Sequence, residues 1–196
     1  MASPSSSSSP KSPGSSLAPS TSGPSRGQRF FAYRSLWLLA IAVLVLDQLT
    51  KLWIVQRMPL GTYGAAPGTI TVNEGFFYLV HVGNTGAAWS LFTGRSSLLA
   101  ILAGGILLAI YFWRDALALR ERVVQISFGL LGGGIVGNLI DRIAYGHVVD
   151  FLDFHFGSYV YPTFNVADSG ICIGVGLYLI HSLRHPPEDV KKSTPQ

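Results

Sequence analysis

Four apolar segments that are almost free of charged residues constrain the fold of this chain most strongly. They cover residues 36–55, 97–113, 123–140 and 166–183. Only 12% of the 196 residues are Asp, Glu, Lys or Arg, whereas a soluble domain carries about a quarter. A helix of about 20 residues is roughly 30 Å long, which is the thickness of the hydrocarbon core of a bilayer. The sequence therefore predicts an α-helical membrane protein with four transmembrane helices.

The distribution of Lys and Arg predicts how these helices are oriented. Ten of the 14 Lys and Arg residues lie before the first segment, between the second and third, or after the fourth. Lys and Arg accumulate in cytoplasmic loops, so both termini are expected in the cytoplasm. The two long loops, 56–96 and 141–165, are then expected on the outer face of the membrane.

The composition also divides the chain. Residues 1–29 are mostly Ser, Pro and Gly, which predicts a disordered cytoplasmic tail. No apolar core typical of a signal peptide precedes Phe30. We expect one membrane domain over residues 30–185 and a short cytoplasmic tail over residues 186–196.

The first outer loop contains a segment with strand character. Residues 69–82 are rich in β-branched and aromatic side chains, which predicts a small β-sheet lying on the membrane surface. The stretch G-N-T-G-A-A-W-S follows at residues 83–90. Its small residues, among them Gly86, allow a close backbone approach, and Asn84 can both donate and accept hydrogen bonds.

Polar residues within the apolar segments require an explanation. Asp47 and Lys51 lie four residues apart, so they share one helix face and are expected to form a structural ion pair. A Ser–Lys protease is not supported, because Lys51 has no Ser partner in the neighbouring sequence. The glycines at 132, 133, 134 and 137 predict close helix packing.

The end of the third segment carries Asn138, Asp141 and Arg142. Asn138 and Arg142 continue the helix face of Gly134, so they are expected to point into the helix bundle. There they either satisfy the backbone of a loop or bind a substrate chain. Asp141 is interpreted as structural.

Two carboxylates are the main candidates for chemistry. Asp150 is expected in a short loop between apolar neighbours, and Asp168 opens the fourth segment three residues after Asn165. Asn165 and Asp168 fit a helix cap, a role that is compatible with catalysis. Two carboxyl groups that share a site retain one proton, so one can activate water while the other protonates a leaving amine. We assign Asp168 as the base and Asp150 as the acid, for peptide hydrolysis without a metal or a covalent intermediate.

Other classes of function receive less support. The histidines lack the H-x-x-x-H or H-x-x-E-H spacing of a helical metal site, so no metal and no other cofactor is expected. The basic residues form no stripe, which argues against a nucleic-acid partner. Cys172 lies in an apolar segment and is interpreted as small packing.

Five motifs in order resemble those of lipoprotein signal peptidase, or signal peptidase II. They are D-Q-L-T-K at 47–51, N-T-G-A-A-W at 84–89, G-G-x-x-G-N-x-x-D-R at 133–142, V-V-D-F at 148–151 and F-N-V-A-D at 164–168. The resemblance covers residues 34–183. It implies four membrane helices with a small outer β-sheet.

The resemblance further implies an aspartic endopeptidase of the bacterial inner membrane, with its active site at the periplasmic face. Such an enzyme cuts a prolipoprotein before the cysteine that carries a diacylglyceryl group. Asp150 and Asp168 match the catalytic dyad, and a further set of positions matches groups that hold the substrate or the antibiotic globomycin. This set is Asn84, Gly86, Asn138, Arg142 and Asn165. We expect a monomer surrounded by membrane lipids.

A small four-helix transporter or scaffold is the alternative. It would use Asp47, Asp150 and Asp168 as groups of an ion pathway, and it predicts carboxylates near the bilayer midplane and an internal repeat. In this sequence the carboxylates lie near the outer ends of the apolar segments, and no repeat is detected.

Overall fold

A computed structural model describes residues 33–87, 91–119 and 121–185. The tails expected at 1–29 and 186–196 lie outside these residues. The described chain is mostly helical and contains one small antiparallel sheet. Its elements, in chain order, are α1 (Arg34–Arg57), β1 (Ile70–Asn73), β2 (Phe77–Asn84), α2 (Ser96–Phe112), α3 (Arg122–Tyr145), β3 (Val148–Phe156), β4 (Tyr159–Val160) and α4 (Val166–Arg184).

The helices α1, α3 and α4 are long and apolar enough to cross a membrane, and α2 is a shorter apolar helix of 17 residues. Helix α3 is the most buried of the three long helices and packs against both α1 and α4. Leu38 on α1 and Leu183 on α4 are 68% and 82% exposed. Large apolar side chains on the outside of a bundle are suited to contact with lipid.

Glycines on α3 permit the close approach of its two neighbours. A Cβ atom at Gly133 would lie 2.5 Å from the Ala40 carbonyl oxygen of α1. A Cβ at Gly134 would collide with the Ala167 carbonyl oxygen of α4. Gly133 and Gly134 therefore let the backbones touch, as the sequence predicted, whereas the same prediction for Gly132 is wrong because that position faces open space.

The sheet has the strand order β1-β2-β3-β4, and each neighbouring pair is antiparallel. Strands β1 and β2 come from the predicted 69–82 region. The expectation that the first outer loop alone forms the sheet is wrong, because β3 and β4 come from the connection between α3 and α4. The rings of Phe77 and Phe154 stack at 4.4 Å between their centroids, which joins the two halves of the sheet.

Asp150 consequently lies on strand β3 and not in a loop as predicted, paired with Val82 of β2. The run from 148 to 156 is rich in Val and Phe, residues that favour strands once a partner edge is present. Helix α3 also extends five residues beyond the predicted end at residue 140 and stops at Gly146, whose φ is +74°. Asp141 and Arg142 therefore lie in the last turns of α3 and not in the loop that follows it.

Candidate active site

Asp150 is held in a buried position beside the start of α4. Its side chain belongs to a residue that is only 2% exposed. The Asn84 side-chain amide donates to its Oδ2 at 2.9 Å, and the Asn165 amide donates to its Oδ1 at 2.7 Å. Both carboxyl oxygens of Asp150 therefore face neutral donors.

Asp168 is fixed at the first turn of α4 by a capping box. The Asp168 N–H donates to Asn165 Oδ1 at 2.9 Å, and the Asn165 N–H donates to Asp168 Oδ2 at 3.2 Å. The predicted helix cap is confirmed. The Asn138 amide donates to the other oxygen of Asp168 at 2.7 Å, so both oxygens of this carboxyl group also accept hydrogen bonds.

A single residue, Asn165, connects the two carboxyl groups. It is fully buried, and its side-chain NH₂ group donates to the Asp150 carboxyl group. Its side-chain oxygen accepts from the Asp168 backbone N–H, and its own backbone N–H donates to the Asp168 carboxyl group. The structure thus brings together Asp150, Asp168 and Asn165, three residues that the sequence placed on two different elements.

Burial is the main influence on the protonation of Asp150. Desolvation, followed by the nearby charge of Asp168, raises the pKa of Asp150 from 3.8 to about 7. The two amide donors and the more distant Lys51 ammonium act in the opposite direction. At neutral pH a substantial share of Asp150 therefore keeps its proton.

Behind this dyad, Lys51 is the centre of a buried ionic network. Its ammonium group lies 2.9 Å from Asp47 Oδ2, 2.8 Å from Asp141 Oδ2 and 2.9 Å from Asn138 Oδ1. The expected Asp47–Lys51 ion pair is present, and Asp141 joins it from α3. Since an ammonium group has three N–H donors, these three contacts use all of them.

Each carboxylate of the network also holds backbone next to the dyad. The Ala167 N–H donates to Asp47 Oδ1 at 2.9 Å, and the Val149 N–H donates to Asp141 Oδ2 at 3.1 Å. Because these amides directly precede Asp168 and Asp150, the network fixes the backbone positions of both carboxyl groups.

Arg142 connects α3 with the loop after β2. Its Nη2 donates to the Gly86 carbonyl oxygen at 3.1 Å and its Nη1 to the Asn138 carbonyl oxygen at 3.3 Å. Of the two possibilities left by the sequence, Arg142 satisfies loop backbone, although its buried Nε has no hydrogen-bond partner within the described residues. The Gly86 N–H donates to Asn84 Oδ1, which orients the Asn84 amide toward Asp150.

Comparison with known proteins decides the family. The family model for signal peptidase (SPase) II matches residues 39–184, which contain every residue of the site described above. The chain belongs to the signal peptidase II family.

Lipoprotein signal peptidases from other bacteria are similar in sequence to this signal peptidase II chain over most of their length. It is 41% identical to the lipoprotein signal peptidase of Nostoc sp. (strain PCC 7120 / SAG 25.82 / UTEX 2576) over 157 residues, 80% of this chain and 94% of the relative. It is 36% identical to the lipoprotein signal peptidase of Bacillus pumilus (strain SAFR-032) over 147 residues, 75% of this chain and 91% of the relative.

Two solved structures have a fold similar to that of this chain. A bacterial membrane enzyme determined by the in meso method at 2.3 Å resolution superposes with a TM-score of 0.69 and 32% identity, covering 83% of this chain and 93% of that chain. A second bacterial membrane enzyme, determined at 1.9 Å resolution, gives a TM-score of 0.67 and 34% identity over 78% of this chain and 94% of that chain.

Two cavities meet at the dyad of this signal peptidase II fold. The sheet-side cavity, of about 740 Å³, is lined by Asp150 and by polar residues of the sheet and loops. The helix-side cavity, of about 340 Å³, is lined by Asp168, Arg142 and apolar residues of α4. Asn84 and four further residues line both cavities, so each carboxyl group faces a different cavity beside one shared wall.

Sequence reasoning missed two polar residues near the site. The Gln48 amide donates to Asp141 Oδ1 at 3.1 Å and to the Gly137 carbonyl oxygen at 3.3 Å, which ties α1 to α3. Asp153 is buried on β3 and accepts from the Gly64 N–H at 3.0 Å. The position of Gln48 beside Asp47 was an available signal, whereas the contact of Asp153 with a loop 89 residues earlier had none.

Within residues 33–87, 91–119 and 121–185, no group of three His, Cys, Asp or Glu side chains is placed to hold a metal ion. Cys172 lines the helix-side cavity one turn after Asp168, and it is exposed there instead of packed in the core as the sequence suggested.

Proposed function

We propose that this protein is an aspartic endopeptidase that removes the signal peptide from prolipoproteins by cutting before the diacylglyceryl-modified cysteine. Family membership supports the substrate class, since relatives across three quarters or more of the chain are lipoprotein signal peptidases. The observation that carries the aspartic mechanism is the pair Asp150 and Asp168, joined through Asn165 at the meeting point of two cavities.

In the proposed mechanism, Asp168 is the general base and Asp150 the general acid. Asp168 accepts hydrogen bonds from Asn138 and from the Asn165 backbone at the start of a helix, and these contacts stabilise its carboxylate form. It takes a proton from water as the water oxygen attacks the scissile carbonyl carbon. Protonated Asp150 donates a hydrogen bond to the carbonyl oxygen and then gives its proton to the leaving amine as the C–N bond breaks, while Asp168 keeps the proton taken from water.

The residues around the dyad are proposed to hold the substrate chain. Arg142 has a buried Nε donor without a partner among the described residues, and it lines the helix-side cavity. Such a donor is suited to a peptide carbonyl oxygen. Asn84, Gly86, Asn138 and Asn165 are proposed to orient the carboxyl groups and to complete the substrate site.

The membrane arrangement is part of the proposal. We infer four membrane crossings, with α2 as the shortest, both termini in the cytoplasm and the sheet at the periplasmic face of a bacterial inner membrane. The Lys and Arg distribution supports this orientation. The protein is proposed to act as a monomer in the lipid bilayer and to be inhibited by globomycin-type cyclic peptides.

Cleavage of a diacylglyceryl-modified prolipoprotein by purified protein, followed by gel mobility, tests the proposal. Asp150→Asn and Asp168→Asn should each lower the rate by about 10²–10⁴-fold, the usual contribution of acid–base catalysis. Asp115→Asn removes an exposed carboxylate outside the site and should leave the rate unchanged. Globomycin should inhibit the wild type.

Two outcomes would contradict the proposal. If both Asn variants are folded and still cleave at the wild-type rate, the carboxylate mechanism is wrong. If the folded wild type leaves the lipidated substrate intact, the peptidase assignment itself fails and the transporter or scaffold alternative has to be tested.

A further inference from the structure

A third cavity lies away from the two carboxyl groups, between α1, α2 and α3. We name it the α1–α2 groove; its volume is about 480 Å³, α1 and α2 form its walls and α3 its floor. Its lining is apolar or glycine except for Arg114 and the aromatic residues Tyr33, Trp37 and Tyr111. Within the described residues, no acidic side chain lines the groove.

The length of the groove matches one leaflet of a bilayer. Along α1 the lining runs from Tyr33 to Leu44, which is about 17 Å at roughly 1.5 Å per residue. Half of a hydrocarbon core of roughly 30 Å is about 15 Å. The groove therefore has the depth of a single acyl chain and ends near the bilayer centre.

The floor of the groove is open. A Cβ atom at Gly132 of α3 would have no atom within 4 Å, whereas the next residue, Gly133, is packed directly against Ala40 of α1. At Gly132, therefore, neither α1 nor α2 fills the space next to α3. An apolar space of this kind between membrane helices is suited to a hydrocarbon chain.

The end of the groove that is lined by Tyr33, Tyr111 and Arg114 is positively charged and aromatic. The Arg114 guanidinium lies 5.0 Å from the centre of the Tyr111 ring, and its Nη1 donates to the Tyr111 carbonyl oxygen at 2.8 Å. Arg34 and Arg122, the first residues of α1 and α3, are exposed at the same end. Glu121, whose carboxylate lies 2.8 Å from His181, and the exposed Asp115 are the acidic residues described at this end, against the three Arg residues.

We propose that the α1–α2 groove binds one acyl chain of an anionic phospholipid, whose phosphate lies at Arg114. Aromatic and Arg side chains favour the headgroup level of a membrane, and basic clusters there attract anionic lipids. The bound chain would fill the space between α1 and α2 and so stabilise the position of α2. The proposal rests on the membrane arrangement of the proposed function, but not on its peptidase chemistry.

Lipid binding to the purified full-length protein tests this site. Phosphatidylglycerol and phosphatidylcholine with identical chains are added to protein in neutral detergent, and retained lipid is counted by native mass spectrometry. Thermal unfolding is followed in parallel. The wild type should retain one phosphatidylglycerol at least 10-fold better than phosphatidylcholine and should unfold at a higher temperature when that lipid is present.

Two variants separate the chain site from the headgroup site. Gly132→Leu fills the groove and should abolish retention of both lipids, while the matched control Gly105→Leu, at an exposed and open position on α2, should retain them. Arg114→Gln should remove the preference for phosphatidylglycerol, while Arg95→Gln, an exposed Arg before the opposite end of α2, should keep it.

Three results would overturn the proposal: no retained lipid in the wild type, equal retention of the two lipids by the wild type, or wild-type retention by folded Gly132→Leu. The same binding assay on Asp150→Asn distinguishes the two proposals. Lipid retention should persist there even if that variant shows the peptidase mechanism to be wrong.

Discussion

Raising the pH from 6 to 8 should destabilise the folded protein through the carboxyl group of Asp150. Desolvation and the neighbouring Asp168 raise its pKa from 3.8 to about 7 in the folded state. Between these two values the folded protein keeps a proton that the unfolded chain has lost. The resulting stabilisation is fully present below pH 3.8 and is lost as the pH rises through about 7.

The expected size of the effect follows from the number of protons bound. Each pH unit changes the free energy of unfolding by about 1.4 kcal/mol per proton difference. Across two pH units centred on the pKa, the folded state holds on average about half a proton more than the unfolded chain, so the loss is about 1.4 kcal/mol. For a chain of this size this corresponds to a decrease of about 3 to 6 °C in the unfolding temperature.

Thermal unfolding in one detergent at pH 6 and pH 8 measures this difference. The informative quantity is the difference between the wild type and Asp150→Asn, because it isolates the contribution of this carboxyl group. The variant should lose most of the dependence, whereas Glu74→Gln, at an exposed position in the turn after β1, should keep it. An Asp150→Asn variant with the same pH dependence as the wild type would refute the reasoning.

Three further predictions concern the framework of the site. Lys51→Met leaves two buried carboxylates without a cation and should lower the free energy of unfolding by about 3–5 kcal/mol, measured by denaturant titration; an unchanged value would contradict the network. Asn165→Ala removes the helix cap and should cost about 1–2 kcal/mol by the same titration. It should also reduce cleavage, so full activity would show that its contacts with the dyad are unimportant. Gly134→Ala places a methyl group against the Ala167 carbonyl and should cost about 1–3 kcal/mol, whereas Gly132→Ala, into open space, should not; equal unfolding temperatures would contradict the packing.

The parts of the fold that depend on local sequence could be predicted. Apolar segments of membrane length located all four helices to within a few residues, except at the end of α3. The spacing of Asn165 and Asp168 gave the helix cap, and the spacing of Asp47 and Lys51 gave the ion pair. Each of these features depends on residues within one or two helical turns.

The strand that carries Asp150 could not be predicted in this way. Residues 148–156 become a strand because they pair with β2, about 70 residues earlier in the chain. The contact of Asp141 with Lys51 likewise joins residues about 90 positions apart. Such contacts depend on how α1 and α3 pack, a property that hydropathy and spacing leave open.

The distribution of buried charge indicates which carboxyl group keeps a proton. The polar centre combines two cations with four carboxyl groups: Lys51 and Arg142 with Asp47, Asp141, Asp150 and Asp168. If all were ionised, two negative charges would remain in a region of low dielectric, which is costly. One proton on a carboxyl group reduces this excess.

The contacts of each carboxyl group support the proposed placement of that proton on Asp150. Asp47 and Asp141 both contact the Lys51 ammonium, and Asp168 accepts hydrogen bonds at the N-terminus of α4. Asp150 is hydrogen-bonded only to neutral amides of Asn84 and Asn165, and no cation within the described residues forms an ion pair with it. The group that is least stabilised as an anion is therefore the one that the proposed mechanism uses as an acid.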